Sequence, residues 1–160
     1  GTAGCLALMK ETPKEPLIVV NGDIMTRLSF EALLEYHQEE RHDITIGVRE
    51  YHIEIPFGVA KMNGHYLVTG ISEKPKKTYF INTGIYVLNP KMFSLIGSVK
   101  RLDMTDLISE AIRRRYTVGG FPIREYWMDI GTRRDYENAN TDYRHVFRQE
   151  DGESVKRGRG

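Results

Sequence analysis

A carboxylate follows a short apolar run near the beginning of the chain. The run, Leu17–Val20, leads through the turn-forming pair Asn21-Gly22 into Asp23. Consecutive apolar residues bounded by a turn are typical of a buried parallel strand, and open α/β sheets bind ligands at the carboxyl ends of such strands. Carboxylate oxygens bind hard divalent cations. The pattern therefore predicts that Asp23 is a metal ligand at a sheet edge, although a polar turn that only closes the strand would have the same sequence.

A second carboxylate, Asp129, lies within the apolar segment 126–131. Burying a carboxylate alone costs free energy, so we expect a cationic group to meet this side chain. Thr132 and Asp135 have the spacing of a capping box, which predicts a helix immediately after the segment. Asp129 is therefore expected between a strand and a capped helix.

The elements that must position these two acids are predicted from hydrophobic periodicity. Strands are predicted over residues 17–20, 43–48, 59–62, 66–71, 85–88, 118–123 and 126–131, and helices after Ser29, over 91–96, over 104–115 and from Thr132 to about Phe147. The pair Asn63-Gly64 between two strand-like runs indicates a β-hairpin. We therefore predict an α/β fold, a Rossmann-like open mixed sheet flanked by helices, with a β-hairpin excursion.

The composition disfavours several classes of protein. The chain has 160 residues, 23 basic and 22 acidic, and a net charge of +1, which gives no indication of a nucleic-acid binder or a membrane-surface protein. The single cysteine, Cys5, excludes an internal disulfide and favours a reducing, cytoplasmic setting. No apolar run reaches the roughly 18 residues that span a bilayer. Residues 150–160 are charged and have almost nothing to bury, so we predict a disordered tail after a folded part at 1–149.

Six short motifs occur in an order and at spacings that resemble those of sugar-1-phosphate nucleotidyltransferases, also called nucleotide-sugar pyrophosphorylases. They are Gly1-Thr2-Ala3-Gly4, Asn21-Gly22-Asp23, Pro56-Phe57-Gly58, Glu73-Lys74-Pro75, Asn82-Thr83-Gly84 and Trp127-Met128-Asp129-Ile130-Gly131. The resemblance covers roughly residues 1–145 and implies an incomplete nucleotidyltransferase domain.

The resemblance also implies roles for individual residues. Asp23 and Asp129 match the two aspartates that hold the catalytic Mg²⁺ in the family, and Lys74 matches the lysine near the phosphate of the sugar phosphate. The implied substrate-binding residues are Gly1, Thr2 and Ala3 at the nucleobase, Gly58, Glu73, Asn82 and Thr83 at the sugar, and Gly22 beside Asp23. A loop that begins Gly-Thr-Ala-Gly is more similar to mannose-1-phosphate guanylyltransferases than to thymidylyl or uridylyl enzymes, which favours GTP.

The implied reaction brings two polyanions together. The phosphate oxygen of a sugar 1-phosphate attacks the α-phosphorus of a nucleoside triphosphate, and pyrophosphate leaves. The main obstacles are charge repulsion and alignment, so such a site needs Mg²⁺, a cationic side chain and a rigid platform more than a general base. Two aspartates, Lys74 as a point charge and Glu73 as an acceptor from sugar hydroxyls fit this requirement.

The chain departs from the family pattern at its beginning. The glycine-rich loop with an arginine and a lysine that cradles the triphosphate in family members is not present in the sequence, and neither is the strand that precedes it. We therefore expect the chain by itself to bind nucleotide poorly and to be inactive. We also expect exposed apolar sheet edges, covered by a partner chain, a homo-oligomer or the missing segment.

Two alternative functions remain. A nucleotide-sugar glycosyltransferase would also hold a divalent metal with carboxylates, but Asp23 does not belong to an Asp-x-Asp pair. A non-catalytic regulatory or scaffolding homologue is compatible with the absent phosphate loop.

Overall fold

The computed structural model describes residues 2–96 and 102–147. The strands are β1 (Leu17–Val20), β2 (Ile24–Thr26), β3 (Ile44–Glu54), β4 (Val59–Met62), β5 (Val68–Ser72), β6 (Lys76–Leu88), β7 (Val118–Pro122) and β8 (Trp127–Asp129). The α-helices are α1 (Phe30–Glu39), α2 (Phe93–Ile96), α3 (Met104–Arg113) and α4 (Arg133–Val146), and short 3-10 helices cover Gly4–Leu8 and Pro90–Met92. The predicted tail and Gly1 lie outside the described residues.

The main sheet is open and mixed, as predicted, with the strand order β1-β6-β3-β7. β6 is antiparallel to both of its neighbours, whereas β3 and β7 are parallel to each other. β1, β3 and β7 therefore run in the same direction, which places Asp23 at the carboxyl end of β1, on the side where β7 also ends.

The prediction that β1 is a buried parallel strand was wrong. Within the described residues β1 pairs only with β6, in the antiparallel sense, and its side chains are half-buried or exposed. Its apolar run has a different physical cause, since Leu17 and Val19 pack on one face of the sheet and Ile18 on the other. An apolar run therefore indicates that side chains pack on both faces of the strand. It specifies neither the direction of the strand nor its place in the sheet.

Two apolar clusters cover the two faces of the sheet, and β6 contributes to both. Tyr86 and Leu88 belong to the cluster under α2 and α3, and Ile85 and Val87 belong to the cluster under α1. This alternation follows from the two-residue period of a strand. The carboxyl-terminal half of β6 is therefore the centre of the fold.

The other halves of β3 and β6 extend away from this core as a two-stranded ribbon, paired from Val48↔Asn82 to Glu54↔Lys76. Together with the β4–β5 hairpin they form a segment, residues 49–81, that we call the arm. The rest of the main sheet with its helices is called the body. Large apolar side chains of the arm, such as Phe57, Tyr66 and Ile71, are exposed.

The hairpin excursion is confirmed, but its turn is longer than the predicted Asn-Gly pair. The Asn63 side-chain oxygen accepts hydrogen bonds from the backbone N–H groups of His65 and Leu67, at 2.9 and 3.1 Å. Tyr66, rather than Gly64, takes the left-handed conformation, with φ of 58°. The side-chain cap of Asn63 therefore organises a wider loop than a two-residue turn.

Among the helices that the structure describes, none combines the length and the apolar character needed to cross a bilayer.

Candidate functional site

The two aspartates are neighbours on one small ribbon, although they are far apart in the sequence. β2 and β8 pair antiparallel, with Ile24 opposite Asp129. One step further, the Ile130 N–H donates to the Asp23 carbonyl oxygen at 2.8 Å. Asp23 and Asp129 therefore lie at the same end of the β2–β8 ribbon.

The expectation that Asp129 is buried and needs a cationic partner was wrong. Asp129 is exposed because the ribbon has only two strands, and Asp23 is exposed as well. The Asp129 side chain turns back over Gly131, where an added Cβ would lie 3.3 Å from Oδ1. Water can therefore solvate both carboxylates without a cationic neighbour.

These donors suit Mg²⁺, which binds through one or two carboxylates and fills its octahedron with waters and substrate phosphates. Within residues 2–96 and 102–147 no group of three or more His, Cys, Asp or Glu is arranged to hold a metal ion. A cation at the ribbon would therefore rely on the two aspartates together with ligands from solvent and substrate.

The Thr2–Ala3 segment is fixed to the beginning of α3. The Thr2 N–H donates to Asp103 Oδ1 at 3.1 Å, and the Thr2 hydroxyl accepts from the Met104 N–H at 2.9 Å. Ala3 is fully buried, and its N–H donates to the Leu102 carbonyl at 3.0 Å. The capping groups of the α3 N-terminus thus hold this segment in place.

An open pocket of about 510 Å³ lies between this segment and the end of β1. Its lining consists of Thr2, Cys5, Val19, Val20, Asn21, Gly22 and Asp23. An added Cβ at Gly22 would meet nothing within 4 Å, which is consistent with an open wall. The structure therefore brings together Thr2, Gly22 and Asp23, three of the predicted site residues.

A second group of predicted residues lies where the arm's hairpin joins β6. An added Cβ at Gly58 would lie 3.1 Å from Glu73 Oε2, so the glutamate side chain covers this glycine. Lys74 follows in a left-handed conformation, with φ of 39°. Such a conformation is unfavourable for a non-glycine residue and occurs where the surrounding structure imposes it. Gly58, Glu73 and Lys74 thus form one local unit on the arm.

The Asn82-Thr83-Gly84 motif lies inside β6 rather than before it, at a bulge. The β3–β6 register changes from Ile46↔Tyr86 to Val48↔Asn82, so that Gly47 alone faces three residues of β6. Gly84 has φ of 75°, a conformation that favours glycine. The extra residues bend the strand locally, which is the usual effect of a bulge.

Asn82 and Thr83 make internal hydrogen bonds at this bulge. The Asn82 side chain donates to the Tyr86 hydroxyl at 2.8 Å and accepts from the Gly84 N–H at 3.0 Å. Burial raises the pKa of Tyr86, so this hydroxyl stays protonated. Thr83 is buried and donates its hydroxyl to the Gly47 carbonyl at 2.7 Å. The Thr83 hydroxyl therefore serves the fold, while Asn82 is exposed.

Sequence reasoning missed two anchors of β8. Trp127 packs on the cluster under α1, and its indole N–H also donates to the Thr83 carbonyl at 3.0 Å. Tyr126 donates its hydroxyl to Asp142 of α4 at 2.7 Å; burial together with this carboxylate raises the pKa of Tyr126 to about 12. A half-buried Trp or Tyr usually finds such a partner, but the sequence does not show which one.

Comparison with known proteins identifies relatives of this chain. A candidate mannose-1-phosphate guanyltransferase of Sulfolobus acidocaldarius is 34% identical over 88% of this chain and 39% of its own length. A glucose-1-phosphate adenylyltransferase of Bacillus licheniformis is 29% identical over 84% of this chain and 38% of its own length. The chain therefore spans about two fifths of the length of these curated relatives.

The fold is also found in solved structures. A candidate glucose-1-phosphate thymidylyltransferase from Bacillus anthracis, in complex with a sucrose, superposes with a TM-score of 0.66 at 24% identity, over 91% of this chain and 62% of that one. The family model described as nucleotidyl transferase matches residues 1–146. The chain thus belongs to the nucleotidyl transferase family, within the branch of sugar-1-phosphate nucleotidyltransferases.

Proposed function

We propose that the chain is part of an Mg²⁺-dependent enzyme that transfers a nucleotidyl group from a nucleoside triphosphate to a sugar 1-phosphate. The products are a nucleotide-diphosphate sugar and pyrophosphate. The observation that carries this proposal is the β2–β8 ribbon, which brings Asp23 and Asp129 to one end, next to the pocket that Asp23 shares with Thr2.

The chemistry required is alignment and charge compensation. A sugar-phosphate oxygen forms a bond to the α-phosphorus while the bond from that phosphorus to the pyrophosphate oxygen breaks, and no protein nucleophile is needed. When bound, Mg²⁺ would neutralise phosphate charge between the two substrates. Asp23 and Asp129 would hold it, since both are exposed carboxylates at one ribbon end.

In this proposal the two groups of predicted substrate residues bind different substrates. The segment at Thr2 and Ala3, with Gly22, lines or adjoins the pocket beside Asp23, where we place the nucleotide. Gly58 and Glu73 on the arm, with the exposed Asn82, would receive the sugar, and Lys74 its phosphate. Glu73 can accept hydrogen bonds from sugar hydroxyls, and the ammonium of Lys74 can pair with phosphate oxygens.

GTP is the favoured donor in this proposal. The support is the Gly-Thr-Ala-Gly opening and the guanyltransferase name of the Sulfolobus acidocaldarius relative. Other similar proteins are named as adenylyl and thymidylyl enzymes, so the assay of this proposal compares nucleoside triphosphates with different bases. The setting that we propose is cytoplasmic, because nucleoside triphosphates are plentiful there and the chain's single cysteine needs no oxidising compartment.

Pyrophosphate release tests the proposal. The chain, expressed with the sequence that flanks it in its gene, is assayed with four nucleoside triphosphates against a panel of sugar 1-phosphates and with Mg²⁺ or EDTA. We expect release that depends on Mg²⁺ and on both substrates, with GTP preferred. Asp23→Asn and Asp129→Asn should each reduce the rate at least 100-fold, because each removes a charged metal ligand.

Glu39→Gln, at an exposed position at the end of α1, is the matched control and should keep the parent rate. A near-parent rate for either aspartate variant would refute its role as a metal ligand. Consumption of a nucleotide sugar without pyrophosphate release would indicate a glycosyltransferase. Substrate binding without turnover would indicate a non-catalytic homologue.

A further inference from the structure

We propose that two consecutive carbonyl groups in the β6 bulge, those of Thr83 and Gly84, set the relative position of the two metal-binding aspartates, with Trp127 and Asn21 as the positioning residues. The inference rests on the proposed function, in which Asp23 and Asp129 hold Mg²⁺ together. It assigns to Trp127 a role in metal binding that core packing alone would not provide.

The first link joins the bulge to the segment that carries Asp23. The Asn21 N–H donates to the Gly84 carbonyl at 2.9 Å, two residues before Asp23. The Asn21 side chain covers Gly84 closely, since an added Cβ at Gly84 would lie 2.6 Å from Asn21 Nδ2. The chain between β1 and β2 is thereby held against β6 through both the backbone and the side chain of Asn21.

The second link joins the same bulge to the strand that carries Asp129. The Trp127 indole N–H donates to the Thr83 carbonyl at 3.0 Å, two residues before Asp129. Since side chains two residues apart point to the same face of a strand, Trp127 and Asp129 share one face of β8. The position of the indole therefore sets the position of that face.

The bulge that makes both links is itself constrained. The Thr83 hydroxyl donates to the Gly47 carbonyl, and the Gly84 N–H donates to the Asn82 side chain. An added Cβ at Gly47 would lie 2.6 Å from Thr83 Oγ1, so the facing strand is in close contact as well. The two acceptor carbonyls belong to successive residues of one constrained segment, so neither can move independently of the other.

Mg²⁺ makes this constraint useful. Its octahedral geometry with oxygen ligands at about 2.0–2.1 Å is strict, so two carboxylates from separate segments must be positioned accurately. β2 and β8 are short and mostly half-buried, and their own three-residue ladder provides little stiffness. The hydrogen bonds to β6 fix the positions of these two short strands relative to the main sheet.

Trp127→Phe tests the inference, because it keeps an aromatic ring and removes the N–H donor. Metal binding is measured without substrates by water-proton relaxation on titration with Mn²⁺. The Mg²⁺ concentration for half-maximal activity and the KM for nucleotide at saturating Mg²⁺ are measured in parallel. Partners that hydrogen-bond a metal ligand directly are worth about 10- to 100-fold in metal affinity. Because Trp127 acts one step further out, through the Thr83 carbonyl, we expect a loss at the lower end of that range, about tenfold, and a nucleotide KM within twofold of the parent.

Tyr126→Phe is the matched control. It removes the hydrogen bond from the residue immediately before β8 to Asp142 of α4 and, like Trp127→Phe, keeps an aromatic ring in place. The control should keep the parent metal affinity. An equal loss of affinity in both variants would show that any loosening of β8 weakens the site, and would overturn the inference.

Gly84→Ala tests the Asn21 link, because the new Cβ would displace the Asn21 side chain that covers Gly84. The substitution also places a non-glycine residue at φ of 75°. We expect faster hydrogen exchange of the Ile130 amide, which donates to the Asp23 carbonyl. If this variant does not fold, the comparison of metal affinity between Trp127→Phe and Tyr126→Phe tests the inference. Parent-like metal binding by Trp127→Phe, with both aspartate variants inactive, overturns this inference alone, whereas active aspartate variants overturn the proposed function.

Discussion

The same pair of strands, β3 and β6, has two different surroundings along its length. In the body, the residues from Ile44 to Ile46 pair with Tyr86–Leu88 at the centre of a four-stranded sheet covered on both faces. In the arm, Glu50–Glu54 pairs with Lys76–Phe80 as a ribbon whose outer edges have no ladder partner within the described residues. Side-chain packing stabilises the body, whereas the arm relies on its ladder and on contacts such as the exposed Glu54–Lys76 ion pair, 3.1 Å long.

This difference separates two tasks. The bulge at the boundary anchors the segments with Asp23 and Asp129 to the body, and Gly58, Glu73 and Lys74 belong to the arm. Regions with few buried apolar contacts open at lower free energy than the core. Under the proposed function, Mg²⁺ would therefore bind at a ribbon that is anchored to the rigid body, and the sugar would bind on the more adaptable arm.

The largest contrast in stability is expected from a truncation in the body. Leu88 is fully buried at the end of β6, so Leu88→Ala should lower the free energy of unfolding by about 2–5 kcal/mol. Ile71→Ala in the arm, where Ile71 is 77% exposed, should change it by less than about 0.5 kcal/mol. Urea unfolding followed by circular dichroism measures both values. Equal losses would mean that the arm is packed as tightly as the body.

A smaller contrast is expected from added volume. An Ala Cβ at Gly47 would lie 2.6 Å from Thr83 Oγ1 and 2.8 Å from Ile123 Cδ1, so Gly47→Ala should cost about 1–3 kcal/mol. Gly64→Ala in the hairpin loop, where the Cβ meets nothing within 4 Å, is the control and should be close to neutral. The same unfolding experiment applies, and a neutral Gly47→Ala would show that the bulge is looser than its contacts indicate.

The smallest difference between the body and the arm is expected in how stability depends on pH. His37 is buried in the body with Nδ1 at 2.8 Å from Thr45 Oγ1, and burial, followed by the charge of His42, lowers its pKa below the usual 6.5, against an opposing effect of Asp43. The unfolded chain therefore binds a proton more readily than the folded chain, so stability is full above about pH 6.5 and is lost as the pH falls below it.

Urea midpoints between pH 7.5 and 5 measure this effect. The parent chain should lose stability towards pH 5, and His37→Gln should lose less over the same range. His65→Gln, at an exposed position in the arm, should keep the parent's pH dependence. A parent-like slope in His37→Gln would exclude His37 as the titrating group.

Local signals in the sequence predicted much of the architecture. The Thr132/Asp135 capping box, the Ser29 cap and the Asn63-Gly64 hairpin all correspond to observed features, because each depends on contacts within a few residues. The carboxylates were found for a similar reason, since an acid after an apolar run or within one stands out against its neighbours.

The features that were missed depend on pairing between distant segments. The direction of β1 relative to its neighbour is determined by pairing with β6. Asp129 is exposed because β8 pairs with β2 in a two-stranded ribbon, and the apolar residues around Asp129 in the sequence do not indicate how many strands the sheet has. The bulge in β6 requires Gly47 on another strand, and the Trp127–Thr83 hydrogen bond joins residues far apart in sequence. No period or motif contains this information.

The way in which the arm joins the body has an evolutionary consequence. Because residues 49–81 leave and re-enter the fold through one adjacent pair of strands, insertions or deletions at the hairpin would not alter the chain path through the body. Lineages could therefore exchange or resize this segment, to which the proposed function assigns the sugar, and still inherit the β2–β8 ribbon unchanged.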